Sequence, residues 1–381
     1  MAMFDAGVNA VISIDTDAEI IRFYTDSMNR RQVQMEVSYS GRPFSEEFYQ
    51  KLDQALKSYQ QKSRAMGTPK VSIILPDHLF LMDTINVPTI GKKAMENAVE
   101  VGIGAIYKNK RDLHYRWFPL SQTKQFATFG LVGTRKELLD KLQDVCNANQ
   151  VNLQIVSFAA NAMACGAMTF NPKLRNGTGL VLDVQENTCR FAFVNKGRVI
   201  GAYHLPFGTQ MLSDTKVVSE DTLFDHSSGE ALVRIARDNA KVKTLTGLSG
   251  ESVGVLDSEE VLAAGGKKTI KKATKPRTRE VPTEPRGFMY ENFRIILKWT
   301  LNLLENNPTI LAQGDIDTVY MNIDSQYNFI FDMLREEEKE SGVSFAPVFT
   351  GNRQSAAEND LRMLELFGGL QLKQYDKFNN F

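Results

Sequence analysis

The sequence predicts an α/β protein of two similar halves, with a small strand-helix-strand-strand unit set into the first. Three observations carry this reading. A meander of three β-rich runs opens near residue 8, and the same three-run opening returns at Gly179. Continuous apolar runs such as Val71 to Leu75, closed by Pro76, have the pattern of strands buried on both faces. Between that run and the second meander, helical and strand periodicities alternate in the order strand, helix, strand, strand.

Taken in order, Val8 to Asp15 and Glu19 to Thr25 are apolar strands, and Gln32 to Tyr39 alternates with period two as a half-exposed strand does. Ser45, followed by Glu46 and Glu47, starts a helix on which Phe48, Leu52, Ala55, Leu56 and Tyr59 share one face. Leu79 to Val87 is a strand stopped by Pro88, Lys92 to Tyr107 a helix, and His114 to Leu120 and Phe126 to Gly133 two more strands. A helix over Glu137 to Asn147, a strand over Asn152 to Ser157 and a buried small-residue helix over Phe158 to Phe170 follow. The second meander is Leu180 to Val184, Arg190 to Val194 and Arg198 to Leu205, turning at Asn195-Lys196-Gly197. After a polar stretch come helices over Phe288 to Leu304, Tyr327 to Glu340 and Glu358 to Leu370, with strands at Thr318 to Asn322 and Val343 to Val348.

These elements divide the chain at 1–77 (first-half core), 78–135 (inserted subdomain), 136–178 (first-half core), 179–208 (second-half core), 209–287 (insertion), 288–350 (second-half core) and 351–381 (terminal helix). Within the insertion, 265–287 carries eight Lys or Arg against two Glu, with three prolines, and reads as a mobile basic loop. Its Lys267, Lys268, Lys271, Lys272, Lys275, Arg277, Arg279 and Arg286 suit either plain solvation or an anionic membrane surface or acidic partner. The loop has no aromatic residue for base stacking, so no nucleic acid is expected.

Composition excludes several classes. The 381 residues are 43% hydrophobic and 24% charged, enough for a large core without disulfides, and the net charge is zero. Cys146, Cys165 and Cys189 lie apart among apolar neighbours, and the four histidines form no metal spacing. No GxSxG, Walker loop or Cys/His pair appears, so no catalytic residues and no metal are assigned. No run approaches the roughly twenty apolar residues of a membrane span, and the N-terminus lacks a signal-peptide pattern. The expectation is a cytoplasmic protein, peripheral to a membrane only through a partner.

Several local stretches sharpen this layout. Ile85-Asn86-Val87-Pro88 ahead of the helix ending at Tyr107, Phe126 to Glu137, Val156 to Ala162, His204 to Gly208 and Leu366-Phe367-Gly368-Gly369-Leu370 resemble the PilM-like branch of the actin-like (ribonuclease H-like) ATPase superfamily, to which FtsA-like proteins are related. The resemblance covers nearly the whole chain. It implies a two-lobed fold that works in a type IV pilus or related secretion platform, gripping the short cytoplasmic tail of a PilN-like inner-membrane protein. The grip lies between the first-lobe core and the inserted subdomain. By that analogy Val87, Pro88, Lys92, Lys93 and Tyr107 mark the partner-binding region.

The resemblance also implies a place for nucleotide between the lobes, held by two hairpins of Asp-x-Gly-Ser/Thr type and a Gly-rich turn. Glycine serves there because backbone N–H groups must come close to the phosphates. The matching stretches here are Ile14 to Glu19, Leu182 to Thr188 and Tyr320 to Ser325, and none contains glycine. If nucleotide bound, Asp15, Thr16, Asp183, Thr188, Asp324 and Ser325 would contact it. Asp15, Asp17 and Glu19 would repel a triphosphate unless metal ions offset them. Asp15 and Asp183 are better suited to capping their own hairpins. The leading expectation is therefore a non-enzymatic scaffold without cofactor. The alternatives are an FtsA-like ATPase or filament former that binds ATP with magnesium and, last, a sugar or acetate kinase of the same fold. Against the FtsA-like alternative, the tail Lys373 to Phe381 is too short and polar for an amphipathic membrane anchor.

Overall fold

A computed structural model describes residues 10–16, 18–27, 30–40, 42–63, 69–205, 208–213, 285–305, 316–349, 363–375 and 380–381. The first lobe holds β1 (Ala10–Asp15), β2 (Ile20–Ser27), β3 (Arg30–Ser38), α1 (Glu46–Ser63) and β4 (Lys70–Leu75). After the subdomain it resumes with α3 (Lys136–Ala148), β8 (Asn152–Phe158) and α4 (Ala159–Phe170). Its sheet has the order β3-β2-β1-β4-β8, with the meander antiparallel and β1, β4 and β8 parallel.

The second lobe repeats this plan. β9 (Thr178–Val184), β10 (Cys189–Asn195) and β11 (Arg198–Leu205) form the meander, and β12 (Thr318–Ile323) and β13 (Ser344–Pro347) extend it, in the order β11-β10-β9-β12-β13. Again the meander is antiparallel and the other pairs parallel. Helices α5 (Pro285–Glu305) and α6 (Phe329–Ser341) belong to this lobe. The repeat legible in the sequence is thus a repeat of topology.

The subdomain is a separate antiparallel sheet, β5-β7-β6, made of β5 (Leu81–Pro88), β6 (Leu113–Gln122) and β7 (Phe126–Arg135). Helix α2 (Lys92–Ile106) covers one face, with Val99 and Ile103 packed on Ile85, Val87, Ala127, Phe129 and Leu131. β5 starts two residues later than the apolar run suggests, because Asp77–Leu79 after Pro76 winds into a 3-10 turn. It also retains Pro88, which an edge strand tolerates at its end since the missing N–H breaks no inner ladder.

Helix α7 (Met363–Tyr375) crosses back onto the first lobe and packs against α4. The two approach through glycine: a Cβ on Gly368 would collide with the Ala162 carbonyl, and one on Gly166 with the Leu364 carbonyl. Helix α7 runs five residues past the expected Leu370 and takes in Lys373, and its predicted start at Glu358 lies outside the described residues. Beyond it, Asn380 and Phe381 dock on the first lobe. The Phe381 N–H donates to the Val156 carbonyl while the Val156 N–H donates to Phe381, and Asn161 donates to Asn380. The Phe381 ring meets Phe80 and His114.

One further boundary moves. Arg286, expected in the mobile basic loop, lies in the first turn of α5 with its guanidinium 5.4 Å from the centre of the Phe329 ring. Lys267, Lys268, Lys271, Lys272, Lys275, Arg277 and Arg279 lie outside the described residues.

The core is continuous across the lobes. Around α4, a single apolar cluster joins Val11, Ile73 and Phe158 of the first lobe to Val181, Ala192 and Val199 of the second. A second cluster fills the far side of the second sheet, with Phe191, Phe293, Met321 and Leu334. The lobes are welded at their base, and the cleft opens above it.

Candidate functional site

Above the weld lies a cavity of about 480 Å3, lined by Asp15, Thr16 and Arg22 of the first hairpin, by Asp77 and Phe80, by Arg190, Tyr203 and His204 of the second lobe, and by Glu365 of α7. This is the interlobe cleft in which the resemblance puts a nucleotide.

Its charged groups are already engaged with one another. Asp15 accepts the Ala18 N–H at 2.9 Å through one oxygen and Arg22 at 2.9 Å through the other. Burial alone would raise the Asp15 carboxyl, but Ala18 and Arg22 outweigh it and hold the pKa below the usual value. Arg22 also reaches Glu36 at 3.2 Å. A carboxylate saturated in this way caps its turn and neutralises a neighbour, leaving little capacity for a metal ion.

In the second lobe, Asp183 is buried and its oxygens accept from Asn322 at 2.7 Å and from Gln185 at 2.9 Å. Burial raises its pKa, against the pull of Arg190 and of the two amides. The residue standing where a glycine would be needed, Gln185, thus ties down the very aspartate that would face a phosphate. The hairpin is closed from outside as well. The Gln185 and Glu186 carbonyls accept from the Thr209 and Gln210 N–H groups, and the Gln185 N–H is spent on the Thr188 carbonyl. Gly208 is required here, since a Cβ would run into the Gln185 carbonyl.

Asp324 caps the 3-10 turn Ser325–Tyr327 by accepting the Gln326 N–H at 3.0 Å, and Ser325 sits exposed in that turn. Of the six proposed nucleotide contacts, Asp15 and Thr16 line the cavity; Asp183 is held by the Gln185 and Asn322 side chains rather than by backbone N–H groups of its hairpin, and Asp324 caps its own turn.

The groups that dominate the cleft are ones the sequence reading passed over. Glu365 accepts from Ser13 at 2.5 Å and from Arg190 at 2.7 Å. Burial works against the Arg190 charge, yet Glu365, Asp183 and Asp77 together raise its pKa. Asp77 accepts the Ala160 N–H at the start of α4, and burial pushes its carboxyl up to about 6 despite Arg190. Arg22, Arg190 and Glu365 each stand alone in an apolar run (Ile-Ile-Arg22-Phe, Cys-Arg190-Phe, Met-Leu-Glu365-Leu). That is itself a signal, because a charge embedded in a core strand or helix requires a partner.

A second concavity, also about 480 Å3, lies between the first-lobe helices and the root of the subdomain. Pro43, Phe44, Tyr49, Leu79 and Leu138 give it apolar walls, and His78, Arg135 and Lys141 a basic rim relieved by Glu137. Burial and the Glu137 charge hold the Tyr49 hydroxyl protonated, with its pKa pushed up to about 12. The five residues assigned by analogy to partner binding are not on these walls. Val87 is buried in the subdomain core because the period-two alternation turns it toward α2 together with Ile85. Pro88 is exposed at the end of β5, Lys92 and Lys93 are exposed in the first turn of α2, and Tyr107 donates to Asp83 at 2.9 Å.

Among the described residues no group of three or more His, Cys, Asp or Glu is placed to hold a metal ion, and no helix is long and apolar enough to cross a membrane.

No family profile and no characterised relative matches the sequence. Solved structures do match. A chain of the PilM-PilN type IV pilus biogenesis complex aligns over 96% of this chain and 98% of that one, at 15% identity and a TM-score of 0.51. The cytoplasmic domain of EpsL, an inner membrane component of the type II secretion system of Vibrio cholerae, aligns over 54% of this chain and 72% of that one, at 14% identity and a TM-score of 0.35. MreB5 of Spiroplasma citri bound to ADP aligns over 96% of each chain, at 12% identity and a TM-score of 0.38. Only the first is close enough to weigh, and at that identity it speaks for the fold. Two sheets of one strand order, a third small sheet set into the first half, and this end-to-end superposition give the chain the actin-like two-lobed fold in a PilM-like arrangement.

Proposed function

We propose that the chain is a non-enzymatic scaffold of a type IV pilus or related secretion platform, and that it holds the short cytoplasmic tail of a PilN-like inner-membrane protein. The observation that carries this is the groove at the subdomain root. Its apolar walls and basic rim suit a short extended segment with apolar side chains and an acidic flank. The superposition on a PilM-PilN complex chain supports the same reading. The basic segment 265–284 would add attraction to an anionic membrane surface.

The groove is tested by pull-down from membranes of the native host, with the Arg135→Glu/Lys141→Glu variant alongside. Both side chains are exposed, and among the described residues Lys141 pairs with Glu137 on its own helix, so the variant folds. Small single-span membrane proteins captured by the natural chain and lost from the variant are expected. Recovery of soluble metabolic enzymes alone, or equal capture by both, refutes the assignment.

A working actin-like ATPase is the rival reading, favoured by the open cavity beside Asp15 and Thr16. The engaged state of Asp15, Asp183 and the second hairpin weighs against it. Titration with magnesium-ATP separates the two: no heat of binding and no rise in Tm are expected, and a saturable rise establishes the rival.

A further inference from the structure

We infer that Glu365 is an internal latch that holds the two lobes closed over the cleft in the absence of any ligand. Helix α7, which carries Glu365, packs on the first lobe, whereas Arg190 belongs to β10 of the second. The Arg190–Glu365 contact is therefore a bridge between lobes. Ser13 of β1 donates to the other Glu365 oxygen and ties the carboxylate to the first-lobe sheet. Both ends of the bridge are largely withdrawn from water, with side chains 19% and 10% exposed.

The latch sits on the cavity wall, while the apolar weld around α4 lies beneath it. Rotation about that weld is the natural way for the lobes to part, and it would pull a guanidinium from a carboxylate in a poorly hydrated site. Losing one member of such a pair leaves the other buried and uncompensated, which is the costly outcome. Both charges of the bridge come from the chain itself, so closing it needs no bound molecule. The latch does not depend on what occupies the groove at the subdomain root.

The test is the distance between spin labels at Gln54→Cys on α1 and Gln326→Cys in the second lobe, measured by pulsed electron resonance on the full chain. The natural latch is expected to give one narrow distribution, unchanged by magnesium-ATP. Glu365→Gln, and the apolar double variant Arg190→Met/Glu365→Leu, are expected to broaden it toward longer distances. The double variant is also expected to keep more thermal stability than Arg190→Met alone. Ser13→Ala leaves the ion pair and the packing of α7 on α4 in place, so it is the control and should stay narrow. A distribution that remains narrow in Glu365→Gln and in the apolar double variant overturns the latch. So does a natural chain that is broad until magnesium-ATP is added.

Discussion

Replacing Gly368 by Ala sets two effects of opposite sign against each other. In an exposed helix, Gly→Ala stabilises by about 1 kcal/mol, because the backbone loses less freedom on folding. At Gly368 the new methyl would overlap the Ala162 carbonyl oxygen, and a methyl on the facing Gly166 would overlap the Leu364 carbonyl. Neither obstacle is a side chain that can swing aside. Helices α4 and α7 must therefore separate by on the order of 1 Å, a gap that forfeits a quarter to a half of the dispersion attraction across the contact. The neighbours on that contact, Ala162, Met163, Leu364 and Phe367, are all buried. Overpacking of this kind costs roughly 1–3 kcal/mol and more where backbone is the obstacle, so a net loss of about 2 kcal/mol remains after the propensity gain. Urea unfolding followed by far-UV circular dichroism should show the midpoint falling with an unchanged slope. A midpoint that rises by what propensity alone predicts would refute close glycine packing between these helices.

Three other expectations are open to direct measurement. Asp77 has a carboxyl raised to about 6 from 3.8, so the folded state binds its proton more tightly and natural stability declines as pH climbs through that window. Asp77→Asn keeps an acceptor for the Ala160 N–H, and it should gain on the natural chain by about 1–3 kcal/mol between pH 5 and 7.5; parallel denaturation curves at both pH values check this. Phe381→Ala removes ring contacts to Phe80 and His114. It should cost about 1–3 kcal/mol and speed hydrogen exchange at the Val156 amide, and unchanged protection there argues against docking of the tail. In the subdomain, Val87→Asp buries an unpaired carboxylate and should destabilise by about 3 kcal/mol or more, whereas Lys92→Ala and Lys93→Ala should stay within about 0.5 kcal/mol. Thermal scans of the three variants decide it.

Much of the fold was legible because its signals are local. Val71 to Leu75 could hardly be anything but a buried strand, and the Asn195-Lys196-Gly197 turn announces itself by a glycine with φ of +75°. Asp15 was readable as a hairpin cap from its own neighbourhood, and the Ala18 contact agrees. The cleft network was not legible in that way. Ser13, Arg190 and Glu365 are brought together only by the closing of two lobes and the return of α7. Each therefore showed in the sequence as a solitary polar group whose partner could not be named. The walls of the groove at the subdomain root were hidden for another reason. Analogy pointed to a stretch of chain, but alternation along β5 decides which side chains face in, and it buries Val87. The docking of the tail was hidden as well: Asn380 and Phe381 read as a polar end, and only the fold shows the Asn380 amide donating to the Leu372 carbonyl and the Phe381 ring lying against Phe80.

The return of α7 has a consequence in time. Val11 and Ile74, laid down in the first quarter of synthesis, find Gly369 as a neighbour only once residues near the far end of the chain have emerged. Closing so long a loop is slow and entropically uphill. The early half thus waits on the ribosome with an apolar flank uncovered, a natural place for a chaperone to bind. A released chain cut before Met363 should remain protease-sensitive in its opening strands, whereas one that includes α7 should be protected there.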